Sequence, residues 1–428
     1  MSNSDKGVFL GYSKKAIFKL KQYLTPSQIN HHVHIVGASG YGKSVLIGKI
    51  LKDRISKGEG CLFIDLKADI QTIEQVQSFA KESGREEDLL IFSLSNPDMS
   101  NSYNPFLQGS ANQIRDRLVG SMEWSEEFYK QASSSYLLKI LIILCWRRDA
   151  LDIPFSIQDL LNLMSDGEAL NAYLADSEQM PENIKDIGAE IIDYVSSKEK
   201  LNNLMGIKCQ LESLVYSDFQ KLICNGDSEI NLFEAIRQSK IVYILLDSRR
   251  YGESARVMGK LVLGDLKAAS AKIDNEVKKQ DRHPFTVVVD EFADLATNDF
   301  LSFLDRARSA RIGVIMAHHE LGDLKQVSEE FARRLMGNTS TLFAFLQKNP
   351  DSAEIIAKIA GTVERVEYTS QIERWGFWHM ETGAKSARKV ETFRIHPNTI
   401  KSLGVGECVL IKQYPRQESQ MIRVDPRA

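Results

Sequence analysis

The sequence predicts an α/β protein with a mostly parallel central sheet, interrupted by an all-α segment. Three observations carry that reading. Short unbroken runs of Val, Ile and Leu recur towards both ends of the 428-residue chain. Stretches with apolar residues at helical spacing separate those runs, and the region from about Leu107 to about Cys224 shows no strand pattern. Strands of a parallel sheet read as continuous apolar runs because helices cover both faces.

The elements follow in order. His32-Val-His-Ile-Val36 is a short strand, and Ser44 to Ile55 places Ile47, Leu51 and Ile55 at helical spacing. Cys61-Leu-Phe-Ile-Asp65 and Leu89-Leu-Ile-Phe92 are further strands, after which Asn104-Pro105 breaks the pattern. Tyr136 to Trp146 is apolar almost all round, as in the central helix of a bundle. Leu201, Leu204, Leu211, Leu214 and Val215 continue a helical stripe. Strands resume with Ile241-Val-Tyr-Ile-Leu-Leu246, Phe285-Thr-Val-Val-Val289, Gly313-Val-Ile-Met316 and Thr341-Leu-Phe-Ala-Phe345. A helix from Ala255 to Ile273 joins the first two, and Gly406-Glu-Cys-Val-Leu-Ile411 is the last strand. The region Thr369 to Arg388, around Trp375-Gly-Phe-Trp378, has no clean period and reads as a long loop or hairpin. The expected division is one α/β domain in two parts, 1–106 and 231–428, around an all-α insertion, 107–230.

Composition removes several classes. Hydrophobic residues make up 43% and charged residues 26%, which excludes disordered and low-complexity chains. Lys+Arg is 54 against Asp+Glu 57, a formal charge of −3, which excludes a globally basic binder but not a motor with a basic channel. Cys61, Cys145, Cys209, Cys224 and Cys408 lack the close spacing of a zinc or redox motif and are expected to be buried free thiols in a reducing cytoplasm. The start has no apolar signal-peptide core, and the run Ile140 to Trp146 is far short of the ~20 residues a bilayer needs. A cytoplasmic chain is the expectation.

Gly37-Ala38-Ser39-Gly40-Tyr41-Gly42-Lys43-Ser44 fits G-x-x-x-x-G-K-[ST] between a strand and a helix, with Val45 following. Glycines there let backbone N–H groups turn around a phosphate at a helix N-terminus. Lys43 then reaches the β- and γ-phosphates, and Ser44 offers its hydroxyl to Mg²⁺. The pattern predicts ATP and Mg²⁺ as cofactors. Asp290-Glu291 ends a buried strand, where α/β sheets place ligands. Asp290 is expected to order Mg²⁺ through its water shell. Glu291, aimed to the other side of the strand, is expected to polarise the attacking water. Asp65-Leu-Lys-Ala-Asp69 closes another strand at the same edge and either brackets the nucleotide or forms a salt bridge with a neighbour.

Arg306, Arg308 and Arg311 follow the carboxylates on an expected helix; they form either a solvated face or an arginine finger for an adjacent subunit, with Arg308 the first candidate. His318-His319, at the end of the next strand, suit a γ-phosphate sensor. Lys278-Lys279, Arg333-Arg334 and Lys385 to Lys389 are small basic clusters that fit a solvated face or a DNA contact, and Trp375, Phe377 and Trp378 could stack on bases or anchor a loop.

The order of these motifs resembles a known family. His34-Ile-Val-Gly-Ala-Ser-Gly-Tyr-Gly-Lys-Ser44, Phe63-Ile-Asp-Leu-Lys-Ala-Asp69 and Ser102-Tyr-Asn-Pro-Phe106 come first. Trp124-Ser-Glu-Glu-Phe-Tyr129, Val289-Asp-Glu-Phe292, Ala317-His-His-Glu-Leu-Gly-Asp-Leu324 and Gly337-Asn338 follow. Together they resemble the TraD/TraG-type coupling-protein ATPases of conjugation and type IV secretion, relatives of the HerA and FtsK translocases. The resemblance implies a RecA-like P-loop motor interrupted by an all-α domain, assembled as a homo-oligomer, typically a hexamer, that passes DNA through its channel. It implies as partners single-stranded DNA with its relaxase, secretion components and a separate membrane-anchored subunit, which would place the chain peripherally on the inner membrane. Arg308 matches the arginine-finger position. Other readings of the same chemistry are an ATP-switched docking module and a HerA-like soluble translocase of repair or defence. Three features depart from the family pattern: the motor begins without a preceding transmembrane anchor, Ala68 replaces a glycine, and His319 stands where a sensor glutamine is expected.

Overall fold

The apolar runs pack as the middle of one large sheet. In the computed structural model, which describes residues 7–14, 20–165, 167–175, 180–375 and 378–426, the strands are β1 (Val8–Ser13), β2 (Lys21–Leu24), β3 (Val33–Val36), β4 (Gly60–Asp65), β5 (Leu89–Ser93), β6 (Ile241–Leu245), β7 (Phe285–Asp290), β8 (Ile312–His318), β9 (Thr341–Ala344), β10 (Thr362–Trp375), β11 (Trp378–Phe393), β12 (Glu407–Lys412) and β13 (Glu418–Val424). Eleven of them form a sheet in the order β2-β1-β13-β12-β9-β3-β8-β7-β4-β6-β5. The seven strands from β9 to β5 run parallel, and β12, β13, β1 and β2 extend them antiparallel. The α/β class with a mostly parallel sheet is therefore what the chain adopts.

Alternation along each strand divides the core between two faces. Leu62 and Ile64 of β4 join Val287 and Val289 of β7 on one face. Cys61 and Phe63 join Val288 and Ile315 on the other, against helix Lys43–Ser56. Three antiparallel strands escape the sequence reading. β1 and β13 pair across nearly the whole chain (Gly11 with Val424), and a partner that distant leaves no local signal. The Thr369–Arg388 region resolves as the hairpin alternative: β10 and β11 pair as a two-stranded ribbon outside the main sheet. Gly376 and Phe377 lie outside the described residues.

Among the described residues of 107–230 there is no strand of the large sheet. The segment leaves and returns at one point, where Tyr103 bridges Ile230 and the Ile230 N–H donates to Ser102 O at 3.1 Å. Helix Glu127–Leu151 buries Tyr136, Leu137, Ile140, Leu141 and Leu144, as its all-apolar centre predicts. Its apolar cluster is continuous with one face of the sheet, so the helices are packed on the sheet rather than held away from it. Cys61, Cys145 and Cys408 are buried free thiols; Cys209 is exposed and Cys224 half-buried, contrary to expectation. No helix of the described residues is long and apolar enough to cross a membrane.

Candidate nucleotide-binding site

The Gly37–Ser44 loop joins the carboxyl end of β3 to helix Lys43–Ser56. Gly40 (φ 80°) and Gly42 (φ 111°) hold backbone conformations that favour glycine, and a Cβ on Gly37 would meet Phe345 Cβ at 2.4 Å. Gly42 gives the helix no side-chain cap, so the first-turn N–H groups are open to an anion. Lys43 is buried, and its Nζ donates to the loop's own Gly37 O at 2.6 Å. Burial, and then the nearby Lys67 ammonium, lower its pKa from the usual lysine range. Ser44 and Val45 are exposed at the helix start.

Ile64 of β4 lies opposite Val289 of β7, which brings the two strand ends together. Asp290 closes β7; Glu291 turns out of it in the left-handed region at φ 55°. Strand alternation therefore does not set Glu291's direction, and the expected aim to the opposite side fails. The turn lets one ammonium reach both acids: Lys67 Nζ lies 3.2 Å from Asp290 Oδ2 and 2.6 Å from Glu291 Oε1. Burial opposes the charge on Lys67, but the two carboxylates outweigh it and raise its pKa. On the far side, His319 Nε2 lies 2.9 Å from Glu291 Oε1, and His319 Nδ1 is 3.4 Å from Lys43 Nζ. Lys43, Glu291, His319, Lys67 and Asp290 thus form one connected cluster.

The two readings of Asp65–Asp69 divide by residue. Asp65 is structural: its carboxylate accepts the N–H groups of Lys67 (2.8 Å), Ala68 (3.2 Å) and Asp69 (3.2 Å) and the Tyr243 hydroxyl (2.7 Å). Burial raises its pKa against those bonds. Lys67 faces the cleft. The Phe63–Asp69 motif marked its segment, but not Lys67 as the residue that meets the acids, because those partners are more than two hundred positions away.

The histidine pair also divides. His318 is fully buried, with its Nε2 2.5 Å from His34 Nε2, and does not face the cleft. The open cleft of about 1040 Å³ is lined by Ser39, Ser44, Lys67, Glu291, His319 and Asp323, among others. The Ser44 hydroxyl in the cleft and the Asp290 carboxylate behind Lys67 are oxygen donors whose hard chemistry suits Mg²⁺ beside a phosphate chain.

Arg308 is elsewhere. The helix ends at Ala307, Arg308 caps it, and Arg311 (φ 59°) turns the chain into β8. All three arginines are exposed. Arg308 O accepts from Asn30 just before β3, so it sits at the amino ends of β3 and β8, whereas the phosphate loop and His319 sit at their carboxyl ends. The length of β8 separates the two edges by roughly 20 Å.

Residues 284–403 match the family described as the TraM recognition site of TraD and TraG. The chain is 21% identical over 454 residues to the type 4 coupling protein DotL of Legionella pneumophila, covering 93% of this chain and 55% of that protein. It thus spans about half the length of that curated relative. Among solved structures it resembles the unbound conjugative coupling protein TrwB (TM-score 0.69, 14% identity, 94% of this chain and 86% of that one). A TrwB complex with ADP and Mg²⁺ gives 0.67 at 13% identity, over 95% and 87% of the two chains. VirB4 of Thermoanaerobacter pseudethanolicus gives 0.57 at 12% identity, over 98% and 96%. The RecA-like P-loop fold is shared with these proteins, and in sequence and fold the chain is similar to the type IV coupling proteins.

Proposed function

We propose that the chain is an ATP-hydrolysing coupling motor that drives DNA, or a DNA–protein complex, towards a type IV secretion channel. The observation that carries this reading is the cleft that joins the phosphate loop to Glu291 and His319, with Asp290 tied to it through Lys67. The relative named a type 4 coupling protein and the TrwB fold with ADP and Mg²⁺ support it. In this reading residues 37–45 hold the phosphates, and Ser44 and Asp290 hold Mg²⁺, which screens phosphate charge when bound. Lys43 leaves Gly37 O for phosphate oxygens. Glu291 takes a proton from the attacking water. His319, already bonded to Glu291, reports the terminal phosphate. Residues 1–106 and 231–428 are the motor, and 107–230 the all-α insertion that meets DNA or partner.

Arg308 cannot reach its own cleft, which favours service to a neighbour's in a homo-oligomer, a hexamer by family analogy. Single-stranded DNA with its relaxase, secretion components and a membrane-anchored subunit are the partners, at the cytoplasmic side of the inner membrane. The test is ATP turnover with and without single-stranded DNA. Lys43→Ala abolishes hydrolysis, and Glu291→Gln keeps ATP binding while losing turnover by roughly a hundredfold or more. Tight binding with negligible DNA-stimulated turnover in the unaltered chain would assign an ATP-switched docking module instead.

A further inference from the structure

We propose that Lys67 is a resident cation that holds the metal-binding oxygen of Asp290 until a divalent ion displaces it. The inference rests on reading the cleft as a Mg²⁺–nucleotide site. Both oxygens of Asp290 are engaged. Oδ1 accepts the backbone N–H of Glu291 at 3.1 Å, a bond fixed by the left-handed turn at that residue. Oδ2 is held only by the Lys67 ammonium at 3.2 Å. Oδ2 is thus the oxygen of Asp290 left for a divalent ion or its water shell, and Lys67 occupies that approach.

The surroundings make the exchange a side-chain event. The backbone at Lys67 is clamped from two sides: Asp65 accepts its N–H, and Arg249 Nη2 donates to its carbonyl at 3.0 Å. Its side chain is 35% exposed and can withdraw into the open cleft, whereas Asp290 is 6% exposed and cannot. Two neighbouring carboxylates at a half-buried strand end repel each other when ionised, and a cation between them relieves that repulsion. Lys67 fills that role before the metal arrives. The same pairing pins Glu291, whose Oε1 it meets at 2.6 Å, so the residue that activates water is also held while the metal is absent. Loading the metal frees both acids in one exchange.

The test uses Mn²⁺ alone, followed by the electron paramagnetic resonance of the free ion, on the nucleotide-free chain. Lys67→Met removes the competitor and should tighten Mn²⁺ binding roughly fivefold, while Lys67→Arg keeps it near the unaltered value. In the unaltered chain, amine acetylation at Lys67, read by mass spectrometry, should rise severalfold on adding Mn²⁺, which keeps the test open even if the methionine variant does not fold. Mn²⁺ binding by Lys67→Met that is unchanged or weaker, or acetylation that Mn²⁺ leaves unaltered, would overturn the proposal. Failure of the unaltered chain to bind a fluorescent ATP analogue in the presence of Mg²⁺ would instead overturn the nucleotide reading, and the metal-only measurements separate the two.

Discussion

Ala68 stands at φ 56°, where a Cβ crowds the backbone, between the Asp65 carboxylate that accepts its N–H and the cleft that Lys67 lines. That conformation costs an alanine about 1–2 kcal/mol, part of which a glycine returns as extra freedom in the unfolded chain. Ala68→Gly is therefore expected to raise stability by about 0.5–1 kcal/mol, read as a higher urea midpoint with unchanged slope; a lower midpoint would show that the turn carries no strain. The departure from glycine was legible in the sequence, but its physical meaning needed the dihedral angle. The phosphate loop was legible because its chemistry lies within eight consecutive residues. The salt-bridge alternative for Asp65–Asp69 was legible, but Lys67 and its partners were not, because Asp290 and Glu291 meet it through the β4–β7 pairing. The alternation argument failed at Glu291 for a local reason: the strand ends one residue earlier.

At the scale of elements, the helical block is fastened to the α/β part by a buried cluster. Arg117, on helix Ala111–Ser121, lies 3.1 Å from Asp265 on the long helix Ser248–Glu276. Asp265 also accepts the Tyr103 hydroxyl at 2.9 Å, and Arg117 donates to the carbonyls of Pro105 and Gln108. Both charged side chains are almost fully buried, and burial raises the Asp265 pKa against the pull of Arg117. Removing one partner leaves the other uncompensated, so Arg117→Met should destabilise the chain by about 3–5 kcal/mol. The double variant Arg117→Met/Asp265→Leu should recover much of that loss in the same denaturation experiment; no recovery would mean that the pair is not coupled. Ser102-Tyr-Asn-Pro-Phe106 was visible as a motif, and the latch explains its composition: Tyr103 reaches Asp265, and Asn104 Nδ2 donates to Phe155 O at 2.7 Å. Elements whose partners are near in sequence or wholly apolar were readable. The β1 and β13 additions were not, because strands of mixed burial that pair across nearly the whole chain carry no local period of their own.

For the whole molecule, the decisive feature is that Arg308 and the phosphate loop occupy opposite edges of one sheet. An arginine acting in trans predicts turnover per chain that rises with protein concentration. Arg308→Ala should lower turnover while sparing ATP binding, and mixing it with Glu291→Gln should partly restore activity, since a mixed assembly can juxtapose an intact glutamate with an intact arginine. Stimulation by DNA should fall steeply between low and moderate salt as phosphate contacts lose their counterion gain. Concentration-independent turnover by a strict monomer would remove Arg308 from the chemistry. With Arg308 as donor, the edge that gives and the edge that receives are different surfaces, so the contact is heterologous. Any open array then ends on one cleft without a donor, and rotation to closure alone completes it. A closed array of this kind has no two-fold axis relating neighbours across the contact: every copy faces the same way round. It therefore has a sense of circulation, clockwise or anticlockwise, written into the separation between two ends of a single strand.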